Sequence, residues 1–260
     1  MPELPDVEGF RRELARTLPG RRVRRVQVSD PGILRNTTAA ALFGRLNGRR
    51  FGEPHRHGKW LMLPTDGPTL LIHSGMTGHP YYADEGTERE PHERLVLVLD
   101  RGDLRYADLR KLRGVWLAAD ANDIARITGP LGPDALGIGL PEFRDALSGR
   151  RGSLKAALAD QSVIAGLGNL LTDEICWCAR ILPSRRVAAL TGDELKRLHG
   201  ATTQVLRTAV RHGRVPRSSR WLAGVRDDPD PCCPRCGTHL NRSRMNGRTT
   251  FWCPHCQPAR

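Results

Sequence analysis

Two cysteine pairs, Cys233-Pro-Arg-Cys236 and Cys253-Pro-His-Cys256, stand sixteen residues apart near the carboxy-terminal end of the sequence. Two tight Cys-x-x-Cys knuckles at this spacing offer four thiolates in a tetrahedron, the donor set of a structural zinc ion. Four sulfur ligands close the coordination shell, so one Zn2+ is expected as a brace and not as a catalyst. Cys232 could in principle replace Cys233, but only Cys233 completes two matching Cys-Pro-x-Cys knuckles. A disulfide framework does not suit a chain with no secretion leader. Cys176 and Cys178 fall in a helical stretch, where buried thiols are the expectation.

Between the knuckles, Asn246-Gly247 is the signal of a type I′ hairpin, with Thr249 to Trp252 as the return strand. Zinc would then anchor the base of a two-stranded finger whose tip presents Arg248 beside Arg242 and Arg244. A rigid hairpin with a basic tip suits a phosphate. The alternative for Arg248 is a solvated turn arginine.

The whole chain carries the same sign of charge. Forty-one Lys and Arg against 28 Asp and Glu give 41 − 28 = +13 over 260 residues, which points to a polyanionic partner. Hydrophobic residues make up 39% against 27% charged, enough for a core, so wholesale disorder is excluded. No apolar run approaches the roughly 18 residues of a membrane span, and a cytoplasmic, nucleoid-associated protein is expected. The positive charge is nearly all arginine; Lys59, Lys111, Lys155 and Lys196 are the lysines, and each merits attention.

The elements that must position these groups can be read in outline. Val7, Phe10, Leu14 and Leu18 repeat on one helical face and Gly20 follows as a stop. Short β-like runs come next: Val23 to Val28, Trp60 to Leu63, Leu70 to His73, Leu95 to Leu99, Leu104 to Tyr106 and Val115 to Ala118. Turn residues separate them at the spacing of a sandwich or barrel, an α+β layout. From Ile124 to about Val210 the text turns helical, notably in Phe143–Leu147, Leu154–Leu158 and Leu195–Leu206, with Pro130, Pro133 and Gly137 to Gly139 marking a linker. Arg211 to Pro231 reads as a loop. The expected divisions are a β-sandwich domain over 1–122, a helical domain over 123–225 and a zinc finger over 226–260.

Five dispersed stretches, in one order, resemble the formamidopyrimidine-DNA glycosylase and endonuclease VIII family. They are Pro2-Glu3-Leu4-Pro5-Asp6-Val7-Glu8, His57-Gly58-Lys59-Trp60-Leu61, His73-Ser74-Gly75-Met76-Thr77-Gly78, Gln161 to Glu174 around Gly166-Leu167-Gly168-Asn169, and Gly247 to Cys253. The resemblance spans essentially the whole chain. It implies an amino-terminal β-sandwich with a leading helix, a helix–two-turn–helix domain and a zinc-finger hairpin. It also implies a bifunctional enzyme of base excision repair, acting as a monomer on damaged double-stranded DNA, that excises an oxidised base and then nicks by β,δ-elimination. The alternatives are a non-catalytic binder of damaged or abasic DNA and an RNA-binding zinc-ribbon protein.

On that resemblance Pro2 becomes the amino terminus once Met1 is trimmed, and its secondary amine attacks C1′ of the damaged nucleotide. An α-amino group titrates at about 8, and the following helix would lower that further. The plainer reading of Pro2 and Pro5 is a helix lead-in. Glu3 is the acid–base partner. Lys59, Asn169 and Arg248 hold the lesion's phosphates, with Asn169 capping the next helix where backbone amides favour an anion. The family's gap-filling positions fall on Met76, Arg110 and Leu112, which would replace the flipped nucleotide in the stack; ordinary core packing is the other reading of Met76 and Leu112. Asp6 stands where the family has glutamate, and Glu174 is a further carboxylate with no assigned step. Leu112 stands where the formamidopyrimidine branch has phenylalanine. The segment from Trp221 to Asp228 is shorter than the one that caps an oxidised purine there. Oxidised pyrimidines, ring-opened purines and abasic sites are thus expected substrates alongside oxidised purines.

Overall fold

The computed structural model describes residues 2–259, which form two compact units. Met1, whose removal the reading of Pro2 requires, lies outside the described residues. The first unit comprises Pro2 and Asp6–Gly129, and the second comprises Glu3–Pro5 with the chain from Pro130 onward.

The first unit follows the order α1 (Leu4–Thr17), β1 (Val23–Val28), α2 (Ala39–Leu46), β2 (His55–His57), β3 (Trp60–Leu63), β4 (Thr69–His73), β5 (His79–Ala83), β6 (Glu93–Leu99), β7 (Asp103–Ala107), β8 (Gly114–Ala118) and α3 (Ala121–Thr128). The strands form two antiparallel sheets, ordered β1-β6-β7-β5 and β2-β3-β4-β8. Leu61, Leu63, Leu70, Ile72, Val115 and Leu117 from one sheet share a core with Leu95, Leu97, Leu104 and Tyr106 from the other. Val7 and Leu14 of α1, with Leu18 just beyond its end, join it as their spacing predicts. The α+β sandwich is therefore present. The apolar run of β6 is explained by its place between β1 and β7, with only Arg94 and Val98 partly exposed.

Each strand run read from the sequence is a strand, longer by at most two residues. The strands β2 and β5 escaped that reading, and both are sheet edges. An edge tolerates the polar His55-Arg56-His57 and accepts Pro80, whose missing N–H would interrupt a central ladder. Helix α2 also escaped; it is eight residues long and is capped by the Thr38 hydroxyl, which accepts from the Ala41 amide at 3.2 Å.

The second unit continues with α4 (Leu140–Leu147), α5 (Leu154–Ala159), α6 (Asn169–Cys178), α7 (Gly192–Arg211), α8 (Leu222–Val225), β9 (Asn241–Met245) and β10 (Arg248–Trp252). Phe143, Leu147, Leu154, Leu158, Leu171, Ile175, Leu198, Val205 and Leu206 form its core together with Leu4. A capping box of Thr191 and Glu194 starts α7. The segment read as a loop, Arg211 to Pro231, instead contains α8 and ends its structured part on a buried Arg226. A four-residue helix is too short to show periodicity, and a buried arginine reads in sequence like a solvated one. Among the described residues no helix is long and apolar enough to cross a membrane.

Candidate functional site

Cys233, Cys236, Cys253 and Cys256 converge, as their spacing predicts. Their sulfur atoms lie 3.5 Å apart for Cys236–Cys253 and Cys236–Cys256, and 4.0 Å apart for Cys233–Cys256. Tetrahedral thiolates at ~2.3 Å from Zn2+ stand about 3.8 Å from one another, so the four residues fit one zinc ion. The indole Nε1 of Trp177 donates to Cys233 Sγ at 3.3 Å and the Cys256 amide to Cys253 Sγ at 3.3 Å, which orients the ligands. Cys176 is fully buried, and burial holds the Cys178 thiol up at about 12, so both are inert.

The knuckles carry the hairpin β9–β10. Asn246 at φ +48° and Gly247 at φ +76° make the two-residue turn. This turn pairs Arg248 with Met245, Thr249 with Arg244 and Phe251 with Arg242. Directly paired residues share a face, so Arg242 and Arg244 lie on one side of the ribbon and Arg248 on the other. The expected trio of tip arginines is thus divided. Exposed Arg248 lines a shallow groove of about 530 Å³ with Asn246, Ala156, Asp160, Gln161 and Ser162.

The return strand is clasped from below by a buried charge cluster. Lys155 Nζ of α5 donates to Asp173 Oδ1 at 2.6 Å and to Thr250 Oγ1 at 2.8 Å, and Arg226 Nη1 donates to Asp173 Oδ2 at 3.0 Å. The Thr249 carbonyl accepts from Lys155 at 3.3 Å, Arg226 at 3.2 Å and Asn169 Nδ2 at 3.1 Å. All three charged side chains are buried. Lys155 was marked by the scarcity of lysine; Asp173 and Arg226 carried no signal in the sequence.

Glu3 is fully buried at the start of α6. Its carboxylate accepts from the amides of Gly168 at 2.9 Å, Leu170 at 2.8 Å and Leu171 at 3.2 Å. The helix begins at Asn169 with Gly168 as N-cap and no side-chain cap from Asn169. This corrects the expectation that Asn169 caps the helix. Glu3 is the anion on the amides of Gly168, Leu170 and Leu171, and the Asn169 side chain donates to the finger strand. Gly168 makes the approach possible, because a Cβ there would stand 2.2 Å from the Glu3 carboxyl carbon. Gly168→Ala, at an ordinary φ of −120°, is therefore expected to expel the carboxylate without backbone strain. The expected cost is about 1–3 kcal/mol, read by thermal melting.

Glu174, one residue beyond Asp173, accepts the Ala223 amide of α8 at 3.1 Å. Burial raises its carboxyl to about 7, against the opposing pull of the Ala223 and Leu222 amides. The raised value means that its neutral form is the stabilising one. That contribution is complete below the usual carboxylate range and is lost as pH rises through about 7. Glu174→Gln is expected to flatten this dependence, melting above the parent at pH 8 and close to it at pH 5.

In the first unit, one end of the sheet β2-β3-β4-β8 gathers the remaining groups. Lys59 occupies the hairpin turn after Gly58, at φ +56°, and Trp60 and Gly114 both pair with His73. Burial, Arg113 and Lys59 together hold His73 down at about 4, so it stays neutral at ordinary pH. Its Nδ1 accepts the Gly75 amide at 3.1 Å, which leaves the proton on Nε2 as a donor. His73 was quoted in the sequence only as part of a motif, because a lone histidine gives no sign of its surroundings.

Two loops leave this end together. Asp108, buried, accepts from Thr77 Oγ1 at 2.6 Å, Tyr106 Oη at 3.0 Å and the amides of Arg110 and Lys111, each at 3.1 Å. Arg35 donates to the carbonyls of Lys111 and Arg113, and Lys111 Nζ binds Asp30 at 2.7 Å. The fixed loops hold Met76, Leu109 and Leu112 in water at 37%, 56% and 53% exposure. Core packing is thereby excluded for Met76 and Leu112. Leu109 was missed by the sequence reading although it is the most exposed of the three. Arg110 Nη1 lies 2.9 Å from Met76 Sδ. Asp6 is half-buried in the first turn of α1, where a carboxylate complements the helix dipole. Buried Glu8 binds Arg11, Arg12 and Arg56 at 2.9, 2.8 and 3.2 Å and so ties α1 to β2.

Comparison with known proteins gives this arrangement its relatives. Family models match residues 1–115 as the formamidopyrimidine-DNA glycosylase N-terminal domain, 131–219 as the corresponding H2TH domain and 233–259 as the zinc finger found in FPG and IleRS. The chain is 38% identical to a formamidopyrimidine-DNA glycosylase of Symbiobacterium thermophilum, over 99% of this chain and 90% of that one. It is 35% identical to another from Heliobacterium modesticaldum, over 99% and 100%. Among solved structures it is similar to MutM in complex with carbocyclic 8-oxo-G containing DNA, with a TM-score of 0.89 and 27% identity over 99% of this chain and 100% of that one. It is likewise similar to the Lactococcus lactis Fpg bound to abasic-site DNA, with a TM-score of 0.86 and 28% identity over 99% and 100%. With its fold, its four-cysteine finger and its full-length kinship in agreement, the chain belongs to the formamidopyrimidine-DNA glycosylase family.

Proposed function

We propose that this chain is a bifunctional DNA glycosylase and abasic-site lyase of base excision repair, acting on oxidised or ring-opened bases through the nitrogen of Pro2. The observation that carries this reading is Glu3, a fully buried carboxylate pinned by three amides and directly adjacent in the chain to a proline that Met1 removal would leave with a secondary amine. A fixed acid–base group beside an amine nucleophile is what sugar opening requires.

Attack of the Pro2 nitrogen on C1′ breaks the bond to the base, which leaves with a proton from solvent, while the Glu3 carboxylate takes up the proton that the nitrogen sheds and passes it to the opening sugar oxygen. The resulting iminium acidifies the C2′ proton, so loss of that proton expels the 3′ phosphate. A second elimination through C4′ expels the 5′ phosphate, and water then frees the proline. Lys59, Arg248 and neutral His73 suit phosphate contacts by their chemistry. Asn169 supports Arg248 through the finger strand, whose Thr249 carbonyl it holds. Met76, Arg110 and Leu112 are read as the side chains that refill the stack, since Met76 and Leu112 stand exposed on braced loops and Arg110 contacts the Met76 sulfur. Relatives of this chain have been captured with 8-oxo-G, Fapy-dG and abasic-site DNA, which supports the same lesion classes here.

The deciding experiment mixes the protein with duplex DNA carrying an abasic site and adds borohydride. A covalent adduct on the Pro2 peptide is expected. Tight binding with neither adduct nor nicking would instead identify a non-catalytic binder of damaged DNA.

A further inference from the structure

We propose that Asp230, Cys232 and His239 form a second metal site, open and exchangeable, for a borderline divalent ion of the zinc type. It is separate from the four-thiolate centre. The backbone lays out the three residues. Cys232 and His239 face each other across an antiparallel bridge, and the ladder continues with the Leu240 amide on the Pro231 carbonyl at 2.8 Å and the Cys233 amide on the Thr238 carbonyl at 2.8 Å. Asp230 lies in the bend just before the bridge and brings its carboxylate to the His239 ring, on the side where Cys232 faces it. An i, i+2 pair with a cross-strand partner makes a three-point cradle.

The donor atoms bear this out. His239 Nδ1 lies 2.8 Å from Asp230 Oδ1 and 3.7 Å from Cys232 Sγ, and the three donors all lie within 4.8 Å of one another. Zinc bonds of ~2.0–2.3 Å in a tetrahedron set such donors roughly 3.3–3.6 Å apart. The Cys–His separation already fits, and the His–Asp pair opens by about half an ångström. A thiolate, an imidazole and a carboxylate select Zn2+ or Co2+ over Mg2+ or Ca2+. Three protein ligands leave the fourth position to water.

Side-chain alternation along the bridge strand separates this site from the structural one. Cys233 is buried with its sulfur receiving the Trp177 indole proton, while Cys232, its neighbour, turns outward. His239 and Asp230 are 72% and 76% exposed, so a metal held here exchanges with solvent. Bound, it would join the segment leading into the finger to the far side of the first knuckle.

Equilibrium dialysis of the full-length protein against excess Zn2+ tests this, with metal counted per chain before and after a mild chelator. The wild type should hold two zinc ions, of which the chelator removes one; Cys232→Ser and His239→Ala should each hold one, resistant to it. Co2+ added to protein with its structural zinc in place should give a thiolate charge-transfer band that Cys232→Ser abolishes. Nicking of abasic DNA should be unchanged in both variants. A wild type that saturates at one zinc overturns the proposal, as does a second equivalent that survives both substitutions. Loss of the chelator-resistant ion in Cys232→Ser would also overturn it, because Cys232 would then belong to the four-thiolate set.

Discussion

A chain whose Pro2 nitrogen is acylated, by a retained Met1 or by one residue added ahead of it, is expected to bind abasic DNA normally yet form no borohydride-stable adduct. Its nicking rate should fall by on the order of 10³-fold or more, the scale of deleting a nucleophile. The reason lies in the lone pair. In an amide it is delocalised into the carbonyl, whereas the free imino nitrogen can attack C1′ and carry the positive charge of an iminium. Pro2→Gly separates this chemistry from shape, since it keeps an amine but makes it primary, so a weaker trap and slower nicking are expected. Mass spectrometry of the intact protein, establishing whether Met1 is present, accompanies each assay. Nicking undiminished in the acylated chain refutes the role given to Pro2.

The largest structural effect is expected from Asp173. Its carboxylate stands between Lys155 and Arg226, and both cations are buried with it. Asp173→Ala would leave two buried charges without their counter-ion, a change costing about 3–5 kcal/mol. The melting temperature should drop by roughly 10 °C. Because the same cluster fixes the carbonyl of Thr249, one residue from Arg248, DNA affinity should fall even at temperatures where the chain stays folded. Lys155→Met is expected to be milder, since Arg226 still pairs with the carboxylate. Melting curves within a degree or two of the parent for Asp173→Ala would show that the cluster does not support the finger.

The features legible in the sequence are those whose physics is local. The cysteine spacing, the Asn246-Gly247 turn, the apolar stripe of α1 and the central strands each depend on neighbours a few residues away, and each appears where the sequence puts it. The division of the tip arginines escaped the sequence reading, although a two-residue turn sets the pairing and pairing sets the face. The edge strands β2 and β5 were lost because one is the polar His55-Arg56-His57 and the other carries Pro80, whereas the edges β1 and β8 keep apolar residues that mark them.

Other features were decided only when distant segments met. Nothing in the residues around Asn169 announces that the amides ahead of it are already taken by Glu3, some 165 residues away. Nor can composition tell that Asp173 is paired with two cations while Glu174, next to it, is held by backbone amides and is raised by burial to about 7. Successive helix positions point about 100° apart, so which carboxylate meets a charge depends on what packs against that side. Residue order sets which chemical groups the chain has; burial and pairing at long range decide their protonation and their partners.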